Sequence, residues 1–301
     1  MENDIINLIK NRGPLTGSEI VEAIGGDSLI TWRTCRLCEG LTTRRVGTRY
    51  LRLDRWVEGF GRLSPSILRE FLTFSVVGVP EDPDSLERKA RKLSSHIEDV
   101  SRAKVELLYR VVSGLASWLE MEWPLMHHLC FVVAGDIVYN MAHDVPRPER
   151  SSGKLVIGSD MDLVVIVDDR LPEDSMKRLD DAIYLEKQRL LMTPHLKEEI
   201  DYVVKRLDRV RKQVLFDSFR HMVACKILQE GTLLSGSEHL FRIVKTMLRE
   251  SGATEKLNHL ERRARVFRKD AEEYLLSEDP EMIREESLCL FYPTEESEEF
   301  E

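Results

Sequence analysis

The chain lacks any uninterrupted apolar run of about 18 residues, so no membrane-spanning helix is expected. Nor does it open like a secretion leader: Met1-Glu2-Asn3-Asp4 is acidic and has no apolar core. Cysteine is scarce. The five present are an odd number, widely scattered, which favours reduced thiols and a cytoplasmic location. Cys35 and Cys38 form a lone CxxC inside a helical pattern. With no second pair and no histidine cluster beside it, the motif reads as two partly buried thiols rather than a zinc or redox site. His127-His128 likewise lacks a ligand set. An excess of positive charge is also missing: 44 Lys and Arg against 53 Asp and Glu leave a formal charge of −9. That argues against a nonspecific coat of nucleic acid over the whole surface. There are no internal repeats. What remains, 42% hydrophobic and 32% charged, is the make-up of an ordinary globular chain long enough for two domains.

The charge is uneven. Arg33, Arg36, Arg44, Arg45, Arg49, Arg52 and Arg55 crowd a short stretch opposed only by Glu39 and Asp54. At the other end, Glu295, Glu296, Glu298, Glu299 and Glu301 form an acidic tail, read as a disordered solubilising end. Before the basic stretch, Ile5, Ile6, Leu8 and Ile9 give a helical stripe that stops at Gly13-Pro14. Thr16 with Glu19 has the spacing of a capping box for a helix ending at Gly25-Gly26. Asp27 or Ser28 caps a third helix through Cys38. Residues 41–46 and 48–53 alternate about Gly47 and are expected to pair as a hairpin. Three helices and a hairpin resemble a winged helix-turn-helix. That resemblance implies contact with DNA or RNA through Arg33, Arg36, Arg44, Arg45 and Arg49. A protein-contact role for the module stays open.

The strongest chemical signal is Gly158-Ser159-Asp160-Met161-Asp162, which runs into Leu163-Val164-Val165-Ile166-Val167. Residues two apart on a strand share a face, so Asp160 and Asp162 aim their carboxylates at one point. Such a pair repels itself unless a cation intervenes, and Mg²⁺ uses one or two carboxylates plus substrate phosphates. A solvated strand end is the plain alternative. Upstream, Leu129 to Ala134 reads as a buried strand, Gly135-Asp136 as a turn and Ile137 to Ala142 as the start of a helix, a layout that offers N–H groups to phosphate. Downstream, Lys197 to Val204 reads as a strand with Asp201 near its start, or else as a charged helix through Arg211.

These residues resemble the polymerase-β-like nucleotidyltransferase superfamily over about residues 100–250. Asp160 and Asp162 match its paired aspartates, and Asp201 is the best match to its third acid. Glu230-Gly231 to Leu234-Ser235-Gly236 is similar to the helix and turn that follow the core in small members. Gly135-Asp136 departs from the usual Gly-Ser, and an insert, Pro146 to Lys154, lengthens the gap before Asp160. Arg147, Arg150 and Lys154 of that insert read as solvated, with a supply of positive charge to the site as the alternative. The resemblance implies transfer of a nucleotidyl group from a nucleoside triphosphate to an acceptor hydroxyl. Two Mg²⁺ ions about 3.5–4 Å apart would be held by Asp160, Asp162 and Asp201. Gly135, Asp136, Ser159 and Lys154 are the candidate nucleotide contacts.

The expected fold is thus an α/β (α+β) nucleotidyltransferase core with a small mixed sheet. A winged helix domain precedes it and a helical C-terminal region follows, with boundaries 1–78, 79–215 and 216–301. Pro80 to Asp84 reads as a linker, 85–121 as more than one helix, and 174–192 as a crossover helix. The expected partners are a nucleotide and DNA or RNA, with no membrane; a homo-oligomer is allowed. A noncatalytic nucleic-acid-binding regulator and a toxin–antitoxin component are the alternatives in function.

Overall fold

A computed structural model describes the chain apart from residues 58, 123–126, 150–152, 284, 289 and 293–301. The acidic tail and Arg150 therefore lie outside the described residues. The fold is mixed α and β with several small sheets. Two compact units divide it: Met1–His96 with the segment from Leu260 onward, and Ile97–His259. The divides fall at 96/97 and 259/260, each inside a long helix, where the sequence suggested 78/79 and 215/216.

In the first unit, α1 (Glu2–Arg12) buries Ile5 and Ile9 and stops at Gly13. Strand β1 (Leu15–Thr16) leads into α2 (Gly17–Ile24) through the expected capping box. The Thr16 N–H donates to Glu19 Oε2 at 2.6 Å, and the Glu19 N–H to Thr16 Oγ1 at 3.3 Å. Such a cap contributes about 1 kcal/mol. Asp27 caps α3 (Ser28–Leu37) by accepting from the Leu29 and Ile30 N–H groups. Cys35 is buried within α3, and burial pushes its thiol up to about 12. Then come β2 (Thr42–Arg45), β3 (Tyr50–Leu53), β4 (Gly61–Ser64), α4 (Ile67–Phe74) and β5 (Ser75–Gly78).

The expected hairpin across Gly47 does not form. Strand β2 pairs antiparallel with β5, and β3 pairs with β4. The reason is burial. Val76 and Val77 of β5 are wholly inaccessible, so β5 takes the middle of a three-stranded sheet, between β1 and β2. The core joins Ile5, Ile20, Trp32, Phe71 and Val77 to Leu275 and Phe291.

Helix α5 (Pro83–Glu122) is a single helix of 40 residues, where more than one was expected. After Pro83 it holds no proline and only Gly114 as a weak point, among residues of good helix propensity. The linker read at Pro80 to Asp84 is correspondingly short.

In the second unit, β6 (Leu129–Ala134) ends at Gly135, and a single 3₁₀ turn, Gly135–Tyr139, replaces the expected helix start. The insert is a small hairpin, β7 (Pro146–Pro148) with β8 (Leu155–Ile157). Next come β9 (Met161–Val167), α6 (Glu173–Met192), β10 (Ile200–Arg206) and α7 (Leu207–Gln213). The stretch around Asp201 is therefore a strand. Then follow α8 (Phe219–Glu230), β11 (Thr232–Gly236), α9 (Glu238–Glu250) and α10 (Ala253–Ser277), which passes from the second unit into the first at Leu260. The sheet order is β10-β9-β6-β11, with β10 parallel to β9 and the other pairs antiparallel. Leu163 to Val167 are inaccessible throughout, as befits a central strand covered on both faces. On one face, Leu163 and Val165 pack with Leu108 and Val112 of α5 and Leu179 and Ile183 of α6. No helix among the described residues is long and apolar enough to cross a membrane.

Candidate active site

Parallel pairing of β9 with β10 sets Asp162 opposite Asp201. Asp160, two residues earlier, lies on the same side. One carboxylate oxygen from each of Asp160, Asp162 and Asp201 lies within 4.8 Å of the others, all three side chains being half-buried. Such spacing suits a hard divalent cation bound through oxygen.

Two glycines make the approach possible. Gly135 has φ +75°, and a Cβ there would sit 1.8 Å from Asp162 Oδ2, so the carboxylate lies directly on the glycine. Gly158 has φ +70°, and a Cβ there would meet the His143 carbonyl oxygen at 1.6 Å. A side chain at Gly135 would displace Asp162, and one at Gly158 would push the turn before Asp160 off the His143 backbone.

The charges around the triad are specific. Lys187 Nζ of α6 lies 3.1 Å from Asp201 Oδ1. Arg147, carried by the hairpin between two prolines, places Nη2 3.6 Å from Asp160 Oδ1 and 2.8 Å from Glu199 Oε2. Its Nε donates to the Gly158 carbonyl at 2.8 Å. Glu199 is only 4% exposed. Burial pushes its carboxyl up; Arg147 pulls the other way, and Asp160, Asp201 and Glu149 add to the rise.

The Gly135 turn is filled from within. The Gly135 N–H donates to Glu230 Oε1 at 3.1 Å, and the Tyr139 hydroxyl to Glu230 Oε2 at 2.7 Å. Lys226 balances that glutamate at 3.0 Å. Asp136 is buried and accepts the Ser159 hydroxyl at 3.0 Å. Gly135, Asp136 and Ser159 thus stand beside the triad, but the donors expected for phosphate already hold carboxylates. Lys154 is exposed, with Nζ 2.7 Å from Met192 Sδ. An apolar groove of about 520 Å³ lies between α5 and α6, and its lining, including Leu107, Val111 and Leu185, contains none of the site acids.

The sequence reading missed Glu199, Lys187 and Glu230. Glu199 had a signal: Glu199-x-Asp201 repeats the alternation of Asp160-x-Asp162. Lys187 and Glu230 come from helices, where spacing along the chain says nothing about a sheet edge.

The five arginines proposed for nucleic acid meet different fates. Arg33 is buried and donates to the Leu275 carbonyl. Arg49 is clamped on Glu70 through Nε and Nη2, both at 2.6 Å, and on Glu272 at 2.6 Å. Both are spent inside the fold. Arg36 is exposed, Arg44 is exposed beside Glu87 at 3.6 Å, and Arg45 lies 3.6 Å from Glu70.

No family model, no curated protein and no solved structure matches this chain.

Proposed function

We propose that the second unit transfers a nucleotidyl group from a nucleoside triphosphate to an acceptor hydroxyl. The observation that carries this reading is the convergence of Asp160, Asp162 and Asp201 at the ends of adjacent parallel strands. The donor set, three carboxylates on one edge beside a glycine-floored turn, fits Mg²⁺. When bound, Mg²⁺ would neutralise phosphate charge and polarise the acceptor oxygen. Asp160 and Asp162 would hold it against the triphosphate. Asp201, on the neighbouring strand, would take the proton of the acceptor hydroxyl as that oxygen bonds to the α-phosphorus and pyrophosphate leaves with the bridging oxygen. Lys187, 3.1 Å away, holds Asp201 in place for that role.

Nucleic acid is the proposed partner of the first unit, now through Arg36, Arg44 and Arg45. Three helices with a three-stranded antiparallel sheet support the winged helix reading. A second reading, a nucleotide-sensing regulator without turnover, draws on the filled Gly135 turn.

The test is incubation with Mg²⁺ and α-phosphate-labelled ATP, together with thermal melting. Wild type should gain melting temperature with Mg²⁺ and ATP, because a ligand of the folded state stabilises it. The pair Asp160→Ala and Asp162→Ala should lose the metal-dependent part. Label transfer to an acceptor, lost in the same variant, identifies the transferase; nucleotide binding without transfer identifies the sensor. An equal shift in wild type and variant places the nucleotide elsewhere and ends both readings.

A further inference from the structure

We infer that Arg147 is the residue that grips the polyphosphate of the substrate. This rests on the nucleotidyl-transfer reading and names a role within it that neither the Gly135 turn nor Lys154 fills. The turn's donors are occupied: the Gly135 amide serves Glu230 and the Ser159 hydroxyl serves Asp136. Lys154 sits against Met192. A triphosphate beside three aspartates needs a positive neighbour besides the metal, and among the described residues Arg147 and Lys187 lie against triad carboxylates. Lys187 is committed to Asp201. Arg147 is held differently.

Its anchors are the Gly158 carbonyl and the buried Glu199, which fix the Nε and Nη2 edge of the guanidinium. Asp160, at 3.6 Å, is only a looser neighbour. Among the described residues Nη1 has no partner, and the side chain is 28% exposed. The guanidinium is thus held at Nε and beside Glu199 at the buried Nη2, which leaves Nη1 as the nitrogen able to meet a phosphate oxygen.

The backbone behind it is stiff. Pro148 restricts Arg147 to extended conformations, and Pro146 before it has its own φ fixed. The Gly158 N–H donates to the Val145 carbonyl at 3.1 Å, and the Ser159 N–H to His143 at 3.0 Å, so the hairpin is stitched to the strand that bears the acids. A charge fixed in this way needs no reorganisation when the anion arrives. Glu199 is then a positioning residue, buried to aim Arg147.

The experiment is calorimetric titration of inorganic tripolyphosphate with Mg²⁺, and separately of Mn²⁺ alone, into wild type, Arg147→Gln, Arg147→Lys, Lys187→Gln and Asp162→Asn. Arg147→Gln should weaken tripolyphosphate binding at least about tenfold, while Mn²⁺ binds as tightly as to wild type or more so. Arg147→Lys should fall between, and Lys187→Gln should stay within about threefold of wild type. If Arg147→Gln does not fold, the lysine variant carries the test. Tripolyphosphate binding unchanged in the Arg147 variants, or absent from wild type, overturns the assignment to Arg147. Mn²⁺ binding that is absent from wild type, or unaltered in Asp162→Asn, overturns the metal-site reading instead.

Discussion

Each unit gathers acids and cations, but the balance differs. In the first, Glu70 and Glu272 face Arg45, Arg49 and Arg268. The Arg268 Nε lies 2.6 Å from Glu272, its Nη2 3.4 Å from Glu70, and its Nη1 donates to the Pro65 carbonyl at 2.8 Å. Cations equal or exceed the acids and every carboxylate is clamped. In the second, Asp160, Asp162, Asp201 and Glu199 face Arg147 and Lys187. The first arrangement is closed and holds the fold together. In the second, three aspartate carboxylates converge at one half-buried edge, an arrangement that a cation from solution would favour. Convergence of like charges, more than the mere presence of charge, separates a candidate binding centre from a structural ion cluster.

The sharpest way to break this contrast is to open the closed cluster. Arg268→Met should cost about 4 kcal/mol, since it strips a partner from buried carboxylates; denaturant unfolding measures it. A loss under about 1 kcal/mol would mean the cluster is not what holds the first unit. In the second unit the comparable weak point is steric. Gly158→Ala should cost about 2 kcal/mol and abolish Mn²⁺-dependent stabilisation, because the turn must move off the His143 carbonyl. Retained Mn²⁺ stabilisation would show that the aspartates do not depend on that turn.

pH separates the matched charges from the unmatched. Burial opposes ionisation of Glu70, but the hydrogen bonds from Arg49 and the charge of Arg268 prevail and hold its carboxyl below the ordinary value. Its contribution is present above the unfolded value of about 4.3 and is lost as pH falls through the lower folded value. Lys205 of the second unit is 2% exposed, and among the described residues its ammonium donates only to Gln213. Burial, then Arg209, pull its ammonium down to about 8. Between about 8 and the unfolded value of about 10.4 the unfolded chain binds the extra proton, so stability rises with pH, by up to about 2 kcal/mol. Lys205→Met should flatten that rise in unfolding curves taken at neutral and alkaline pH.

Smaller effects sharpen the comparison from the other side. Asp162→Asn should raise stability without metal by about 1 kcal/mol while removing the Mn²⁺ response, since a charge kept for binding burdens the fold. A destabilised variant would show that the convergence is compensated within the protein. Smallest of all, Arg36→Ala with Arg44→Ala should change stability by under about 0.5 kcal/mol. The same pair should weaken salt-dependent retention of nucleic acid. Retention equal to wild type would remove these arginines from the interface.

What could be read from the sequence was local. The capping box at Thr16, the stop at Gly13 and the apolar run after Asp162 all depend on near neighbours, and near neighbours are what spacing reports; around Asp201 the same spacing left strand and charged helix both open. Pairing was the failure. Residues 41–46 and 48–53 looked complementary, yet β2 joined β5 some thirty positions later in the chain because Val76 and Val77 needed cover on both sides. The same limit hid Arg147. Its proline-flanked loop had the look of solvated sequence, and only the hairpin's stitching to Gly158 and Ser159 brings it to Asp160. For Arg33 and Arg49, residue type suggested phosphate contact, whereas depth in the fold assigned them to carbonyl and carboxylate partners.

The two crowded glycines have a use beyond this chain. Because an aspartate lies on Gly135 and a carbonyl on Gly158, neither position tolerates a side chain while the centre keeps its shape. The stretch between them holds the 3₁₀ turn and then the β7–β8 hairpin. A glycine after a buried strand, a spacer, and then Gly-x-Asp-x-Asp opening the next strand is therefore a search pattern for distant relatives. Its glycines are set by steric exclusion and its aspartates by the proposed metal site, so it should survive in homologues of low overall similarity. Within such a set, a basic residue retained in the spacer would mark the members that share this grip on the substrate.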